Sequence, residues 1–351
     1  MNNRRRGWFK SAAPSGPPIV TTFGTLSGSA KYVGGVYAQN GFIYCIPHNS
    51  GQVAKLNTAN DTLSFFGTIS GANMYGGGVY HPNGKIYCSP IDATNVLVID
   101  TLTDTVSTIG SFGGPNGRYL GAVLSDNGDI YLIPGVANQV AKINVSAGTI
   151  SLIGPSLGTS NVKWTGGFLS ENSIIYGFNR MSTPWLKIDP STDTVSTFGT
   201  GSAITRNAGG VMSISGNGYG SPLGINTVIK ITLPSETLSA FGTIPTGSTS
   251  YFGSCNAPNG KIYCCPFNSN AILEIDPTLD TISTFGSLGV ASSKYIGNVL
   301  ANNGSIYFIP FNATSFLKLS NIGSITPDMY TIPSPISGLS SSLYNKHQNK
   351  L

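Results

Sequence analysis

Charge is scarce in this sequence: Asp, Glu, Lys and Arg make up 9% of its 351 residues, against about a quarter in an ordinary globular domain. That excludes a charge-rich disordered chain and a coiled coil, both of which depend on charged faces. Histidine occurs three times, as His48, His81 and His347, so acid–base chemistry has few places to sit. Cysteine occurs five times without a C-x-x-C pair, which argues against a structural zinc site. No apolar run approaches the roughly 20 residues of a membrane helix. The 45 glycines follow no Gly-X-Y period, so collagen is excluded as well. What remains abundant is Gly, Ser, Thr and Asn, the composition of a turn-rich all-β protein.

Length alone would suggest two domains, but an internal repeat overrides that prior. A tyrosine recurs at Tyr44, Tyr87, Tyr131, Tyr176, Tyr219, Tyr263 and Tyr307, at intervals of 43 to 45 residues. Each of the seven units parses into four short strands. An Asn-Gly pair joins the first strand to the second at Asn40-Gly41, Asn83-Gly84, Asn127-Gly128, Asn217-Gly218, Asn259-Gly260 and Asn303-Gly304, and such a pair predicts a two-residue type I′ hairpin. Unit four departs, with Glu171-Asn172-Ser173. The third strand is typified by Val96 to Asp100 and the fourth by Asp193 to Gly199. Four strands repeated seven times predict a seven-bladed β-propeller of four-stranded antiparallel blades. Pro18 to Ser27 (PIVTTFGTLS) matches the fourth-strand pattern yet precedes the first complete unit, so the N-terminal strand within 18–27 is expected to close the ring as the outer strand of blade seven. The expected organisation is an arm at 1–17, the propeller at 18–326 and a Ser-rich tail at 327–351.

The VID…DTVSTFG and PNGKIYC phrases resemble the repeats of surface-layer-type propellers and, more loosely, of the virginiamycin B lyase group. The resemblance covers all seven units and implies the fold. It implies little about activity, because it rests on a blade signature.

Residues joining one blade to the next fall on the face at the mouth of the central channel. They read Lys31-Tyr32, Met74-Tyr75, Arg118-Tyr119, Lys163-Trp164, Arg206-Asn207, Ser250-Tyr251 and Lys294-Tyr295. Cations beside aromatic rings suit stacking on sugars or bases and pairing with carboxylate or phosphate, so Lys31, Tyr32, Tyr75, Arg118, Tyr119, Lys163, Trp164, Arg206, Tyr251, Lys294 and Tyr295 are the expected ligand-binding face. The same register would equally serve packing between blades. The loops between second and third strands share that face and vary more: His48-Asn49, Asp92, Arg180-Met181, Phe267-Asn268 and Phe311-Asn312. The lyase resemblance implies a histidine and acid cluster at the mouth, for which His48 and Asp92 are the available pair. No catalytic residue, metal or cofactor is assigned. Asp61, Asp104, Asp193, Glu236 and Asp280 recur before the fourth strand, and Asp100, Asp189 and Asp276 end the third; their repetition marks them as structural. A two-residue turn at Asn259-Gly260 would set Cys255 directly opposite Cys264. Cys45 and Cys88 share the Cys264 register, where blade three has Leu132, so buried free thiols are expected rather than a disulfide.

Four of the 19 cations lie in the arm, as Arg4, Arg5, Arg6 and Lys10 around Trp8 and Phe9, while residues 19–326 are balanced in charge. The arm lacks the apolar core of a secretory signal and reads as an anchoring peptide with a proline-rich spacer. The expectation is a non-enzymatic binding or structural module anchored to other proteins of a larger assembly. Its charge-poor, adhesin-like body resembles structural proteins of phage virions, which implies a virion location, with the cytoplasm as the alternative, and a surface glycan or receptor protein as partner. Membranes and nucleic acid are not the expected partners. The alternative function is a propeller lyase or glycan-active enzyme working at the channel mouth.

Overall fold

In the computed structural model the described residues are 16–112, 118–159, 161–181, 184–199, 206–245 and 250–324. They form seven separate four-stranded antiparallel sheets and no helix. The anchoring residues Arg4, Arg5, Arg6, Trp8, Phe9 and Lys10 and the Ser-rich tail lie outside the described residues. In blade one the strands run, from channel to rim, Tyr32–Tyr37, Phe42–Pro47, Val53–Asn57 and Thr62–Phe66. Blade seven takes its three inner strands from Tyr295–Leu300, Ile306–Pro310 and Phe316–Ser320, and its outer strand is Ile19–Phe23. That N-terminal strand pairs antiparallel with Phe316–Ser320 in continuous register from Ile19↔Ser320 to Phe23↔Phe316. The ring is therefore closed by hydrogen bonds within one sheet.

Burial falls from channel to rim. The second strands are buried almost throughout, whereas the outer strands are exposed or half-buried at every position but Val195 of blade four. Outer strands rich in Thr and Ser suit that position, since their β-branched and hydroxyl side chains tolerate a pleated surface half in water. The core lies between blades: each of seven apolar clusters joins two neighbours, such as Val36 and Tyr44 of blade one with Tyr75 and Ile86 of blade two.

The hairpins joining first and second strands depart from the expected type I′ geometry. Ala38 N donates to Phe42 O and Gly41 N to Ala38 O, so the loop has three residues. Within the Asn-Gly pair only Gly41 has a positive φ, +87°, the arrangement of a type I turn ending in a glycine bulge. The asparagine is there for its side chain: Asn40 Nδ2 donates to Tyr44 Oη at 2.8 Å, and Asn83, Asn259 and Asn303 do the same for Tyr87, Tyr263 and Tyr307. In blade five the turn sits two residues earlier than expected, with Gly216 at φ +82° and Gly218 inside the second strand. In blade four Ser173 holds the left-handed position at φ +62°. The register moves by one as a result. Cys255 pairs with Tyr263 and Cys264 with Ser254, which puts the two thiols on opposite faces of the sheet. All five cysteines are buried and free.

The recurring acids tie neighbouring blades together. Asp104 of blade two accepts hydrogen bonds from Lys55 Nζ at 2.6 Å and Tyr44 Oη at 3.3 Å, both in blade one. The same clamp repeats as Asp193 with Tyr131 and Lys142, Glu236 with Tyr176 and Lys187, and Asp280 with Tyr219 and Lys230. At the closing seam Asp61 accepts from Tyr307 at 2.8 Å and Lys318 at 2.7 Å. Each acid sits at a φ between +50° and +57°, a strained setting for most residues but one in which Asp is favoured among non-glycine types. Between blades two and three, Gly148 takes the acid's place and Val98 the lysine's, so both halves of the clamp are missing together. Asp100, Asp189 and Asp276 accept backbone N–H bonds two residues on and shape the turn between third and fourth strands.

Candidate functional site

All seven inner strands carry a bulge between the first residue, an aromatic in six blades and Asn207 in blade five, and the third residue beyond it. A glycine at positive φ makes each bulge possible, from Gly166 at +65° to Gly121 at +112°. A β-carbon on Gly121 would lie 2.8 Å from Gly166 Cα, so the backbones meet there in direct contact around the axis. The residue before that glycine joins one shared apolar cluster in four blades, as Val33, Ala208, Phe252 and Ile296.

The structure separates the expected ligand-binding face into three groups. The aromatics Tyr32, Tyr75, Tyr119, Trp164, Tyr251 and Tyr295 are each at most 5% exposed and are not offered for stacking. Each packs on the preceding blade, as Tyr32 does on Val299 and Tyr307 and Trp164 on Val123 and Tyr131. Their polar atoms are engaged locally: Tyr32 Oη accepts from Ser50, Tyr251 Oη accepts from Ser269, and Trp164 Nε1 donates to Pro184 O. The lysines form the second group. Lys31, Lys163 and Lys294 are buried, and their ammonium groups brace the loops before them by donating to Gly28 O, to Gly158 O and Ala137 O, and to Ala291 O respectively. Burial lowers the pKa of all three, that of Lys163 to about 8. Arg118 is buried with them, and Arg206 alone of the eleven is exposed. A cleft of about 460 Å³ does open beside Lys31 and Tyr32, lined by Thr25, Ser27, Asn49, Gln52 and Phe65 among others.

A different set of residues occupies the mouth. One further apolar cluster draws on four blades, which only the axis allows: Val33 of blade one, Ala208 and Leu223 of blade five, Phe252 and Phe267 of blade six, and Ile296 and Phe311 of blade seven. The rings form an arc, with Phe252 to Phe267 at 5.8 Å, Phe267 to Phe311 at 6.3 Å and Phe311 to His48 at 5.7 Å. Across blade five, the Arg180 guanidinium carbon lies 5.2 Å from the centre of the Phe252 ring. Its Nη1 is buried with no hydrogen-bond partner among the described residues. Burial lowers the Arg180 pKa from its ordinary value, yet a guanidinium stays charged in any case, so a cation is held beside an aromatic ring with no ion-pair partner among the described residues.

His48 sits at the other end of the arc. Its Nδ1 lies 3.2 Å from Tyr75 O; a carbonyl can only accept, so Nδ1 carries the proton, and the Asn73 side chain also hydrogen-bonds to the ring. Burial lowers the His48 pKa and outweighs the opposing effects of the Tyr75 carbonyl, Asp92 and Asn73, so the imidazole is neutral at pH 7. The mouth can thus hold an anion at one end and stack apolar groups along the arc, with a neutral imidazole at the other end. Among the described residues no group of three or more His, Cys, Asp and Glu is placed to hold a metal.

Sequence reasoning found Arg180, Phe267, Phe311 and His48 as variable loop positions but missed Phe252 and Ile296. The available signal was the residue between each aromatic and its bulge glycine, which reads Val33, Gly76, Leu120, Thr165, Ala208, Phe252 and Ile296. It is the one position there that changes in every blade.

No protein-family model matches the sequence, and no curated protein sequence matches it. Among solved structures the chain resembles a streptogramin B lyase at TM-score 0.73 and 16% identity, over 86% of this chain and 97% of that one. It also resembles a catalytically inactive virginiamycin B lyase from Staphylococcus aureus determined with quinupristin, at TM-score 0.73 and 14% identity, over 87% and 99% of the two chains. The WD40 propeller domain of Doa1 aligns at TM-score 0.66 and 11% identity, over 86% and 97%. The roles of these neighbours differ, and at such identities the likeness is one of architecture: this chain is a seven-bladed β-propeller whose structural neighbours include virginiamycin B lyases.

Proposed function

We propose that this propeller is a binding module displayed on a larger assembly, a phage virion component such as a fibre, spike or decoration protein, and that it takes its ligand at the channel mouth. The observation that carries the binding reading is Arg180. Nearly every other described ring cation has work within the fold: five lysines clamp blades, Lys261 pairs with Glu274, Lys85 with Asp100, and three lysines brace loops. A buried guanidinium donor without a partner among the described residues, as Arg180 Nη1 is, costs stability, and a binding partner would remove that cost. The virion reading is supported by the charge-poor, Ser/Thr/Asn/Gly-rich body and the basic, aromatic arm at 1–17. The test is assembly with the parent particle. Protein lacking residues 1–17 is expected to fold and to be lost from the particle; full occupancy without the arm refutes the anchor.

A second reading, a lyase or glycan-active enzyme, is favoured by His48, whose neutral imidazole at the mouth suits a general base, and by the lyases among the structural neighbours. Under that reading His48→Ala and Asp92→Ala each abolish turnover, and an unchanged rate ends it.

A further inference from the structure

We infer that Arg180 and Phe252 form a subsite for a carboxylate carried on a flat apolar group. The inference rests on the binding reading above and names the chemistry of that site. Arg180 presents a planar fork of N–H donors, and its Nη1 donor is unpartnered among the described residues. Two parallel N–H bonds to a carboxylate are the pairing that this geometry favours. The guanidinium lies against the Phe252 ring, which fixes its plane and leaves it little freedom to lose on binding.

The surroundings narrow the anion further. Val33, Ala208 and Ile296 pack with Phe252, so an entering anion must shed water into an apolar site that offers one compensating cation. A singly charged carboxylate meets that condition, whereas a doubly charged phosphate would leave one charge unbalanced and dehydrated. The body of the ligand follows from the arc of Phe252, Phe267 and Phe311, whose centroid spacings of 5.8 and 6.3 Å are those of rings that accept a further flat group edge-on or offset. The Arg180 guanidinium lies against the Phe252 ring and takes no part in the blade clamps or loop braces, so its removal leaves them untouched.

The experiment uses the full chain with three small probes, benzoate, benzamide and phenyl phosphate, read by ligand-observed NMR titration. Benzoate is expected to bind at least tenfold more tightly than benzamide or phenyl phosphate. Arg180→Met and Arg180→Lys should each weaken benzoate at least tenfold, the lysine because it cannot make the paired contact. A purely structural Arg180 would lower the melting temperature when replaced; under the inference Arg180→Met melts at the wild-type temperature or above. Equal affinity for benzoate and benzamide, undiminished benzoate binding by Arg180→Met, or phenyl phosphate binding as tightly as benzoate would each overturn the carboxylate subsite while leaving the mouth a binding surface. Binding of none of the three probes would overturn both the subsite and the mouth.

Discussion

The clamp between blades five and six makes a quantitative prediction at Asp280. Its carboxylate accepts from Tyr219 Oη at 2.8 Å and from Lys230 Nζ at 2.5 Å. Hydrogen bonds to a charged group each contribute about 1.5–3 kcal/mol when buried. The Asp280 side chain is 38% exposed and Lys230 16%, so solvent screening reduces the pair of bonds to a total of about 2 kcal/mol. The backbone adds a second effect: Asp280 has φ +50°, where an alanine β-carbon costs roughly 1 kcal/mol more than glycine. Asp280→Ala should therefore destabilise by about 3 kcal/mol and Asp280→Gly by about 2 kcal/mol. In urea unfolding followed by tyrosine fluorescence, with a slope of about 3 kcal/mol/M, the midpoints fall by about 1 M and about 0.7 M. Combining Asp280→Ala with Lys230→Met should show a coupling of about 1 kcal/mol. An alanine midpoint indistinguishable from wild type refutes the clamp, and a glycine variant less stable than the alanine one refutes the backbone argument.

Gly121→Ala places a β-carbon 2.8 Å from Gly166 Cα at φ +112° and should cost more than about 3 kcal/mol, whereas Gly148→Ala, at φ +66° with nothing within 4 Å, should cost about 1 kcal/mol; thermal melts of the two separate contact from strain. The thiols are fully buried and their pKa values are raised by that burial, Cys264 to about 12, so a thiol-specific dye should label none of the five until denaturant is added, and rapid labelling of native protein refutes their burial. Burial raises Tyr32, Tyr75 and Tyr119 to about 12, above the unfolded value of about 10. The folded state keeps protons that the unfolded chain releases, so stability is present below pH 10 and lost as pH rises beyond it; absorbance at 295 nm should show these rings ionising only together with unfolding. For Asp193, burial opposes ionisation, but the bonds from Lys142 and Tyr131 outweigh it and lower the pKa. Its contribution is present above the unfolded pKa and lost as pH falls through the folded one, so Asp193→Asn should flatten the acid limb of a stability–pH profile, and an unchanged limb counts against the bond.

The repeat made the architecture legible because a blade cannot bury its faces alone, so the same positions must recur in each unit. Val96–Asp100 and Ile19–Phe23 are strands where the pattern placed them. The Asn-Gly turns were misread because the dipeptide serves two turn types, and only the bond from Asn40 to Tyr44, a contact between side chains four residues apart, distinguishes them. The burial of most of the candidate face was not legible for a related reason. A cation beside an aromatic looks the same in sequence whether it faces water, as Arg206 does, or donates into its own loop, as Lys163 does. Arg180 was visible as a loop position, but its neighbour Phe252 belongs to a blade more than 70 residues on, and a seven-fold ring brings them together at its axis alone.

The strand Ile19–Phe23 leaves the ribosome first and finds its partner Phe316–Ser320 last. Their separation is 293 residues between Phe23 and Phe316, which at about 5–20 residues per second is roughly 15–60 s of synthesis. Throughout that interval a β-branched strand with two open edges must stay unpaired while six complete blades grow beside it, each ending in a rim strand of the same composition. Mispairing with such a rim would trap the chain as an open arc. The alternation of Thr and Ser on these rims is then a form of kinetic protection: it keeps the outer edges soluble enough to wait, and leaves the full Ile19-to-Phe23 register to the one partner that arrives at the end.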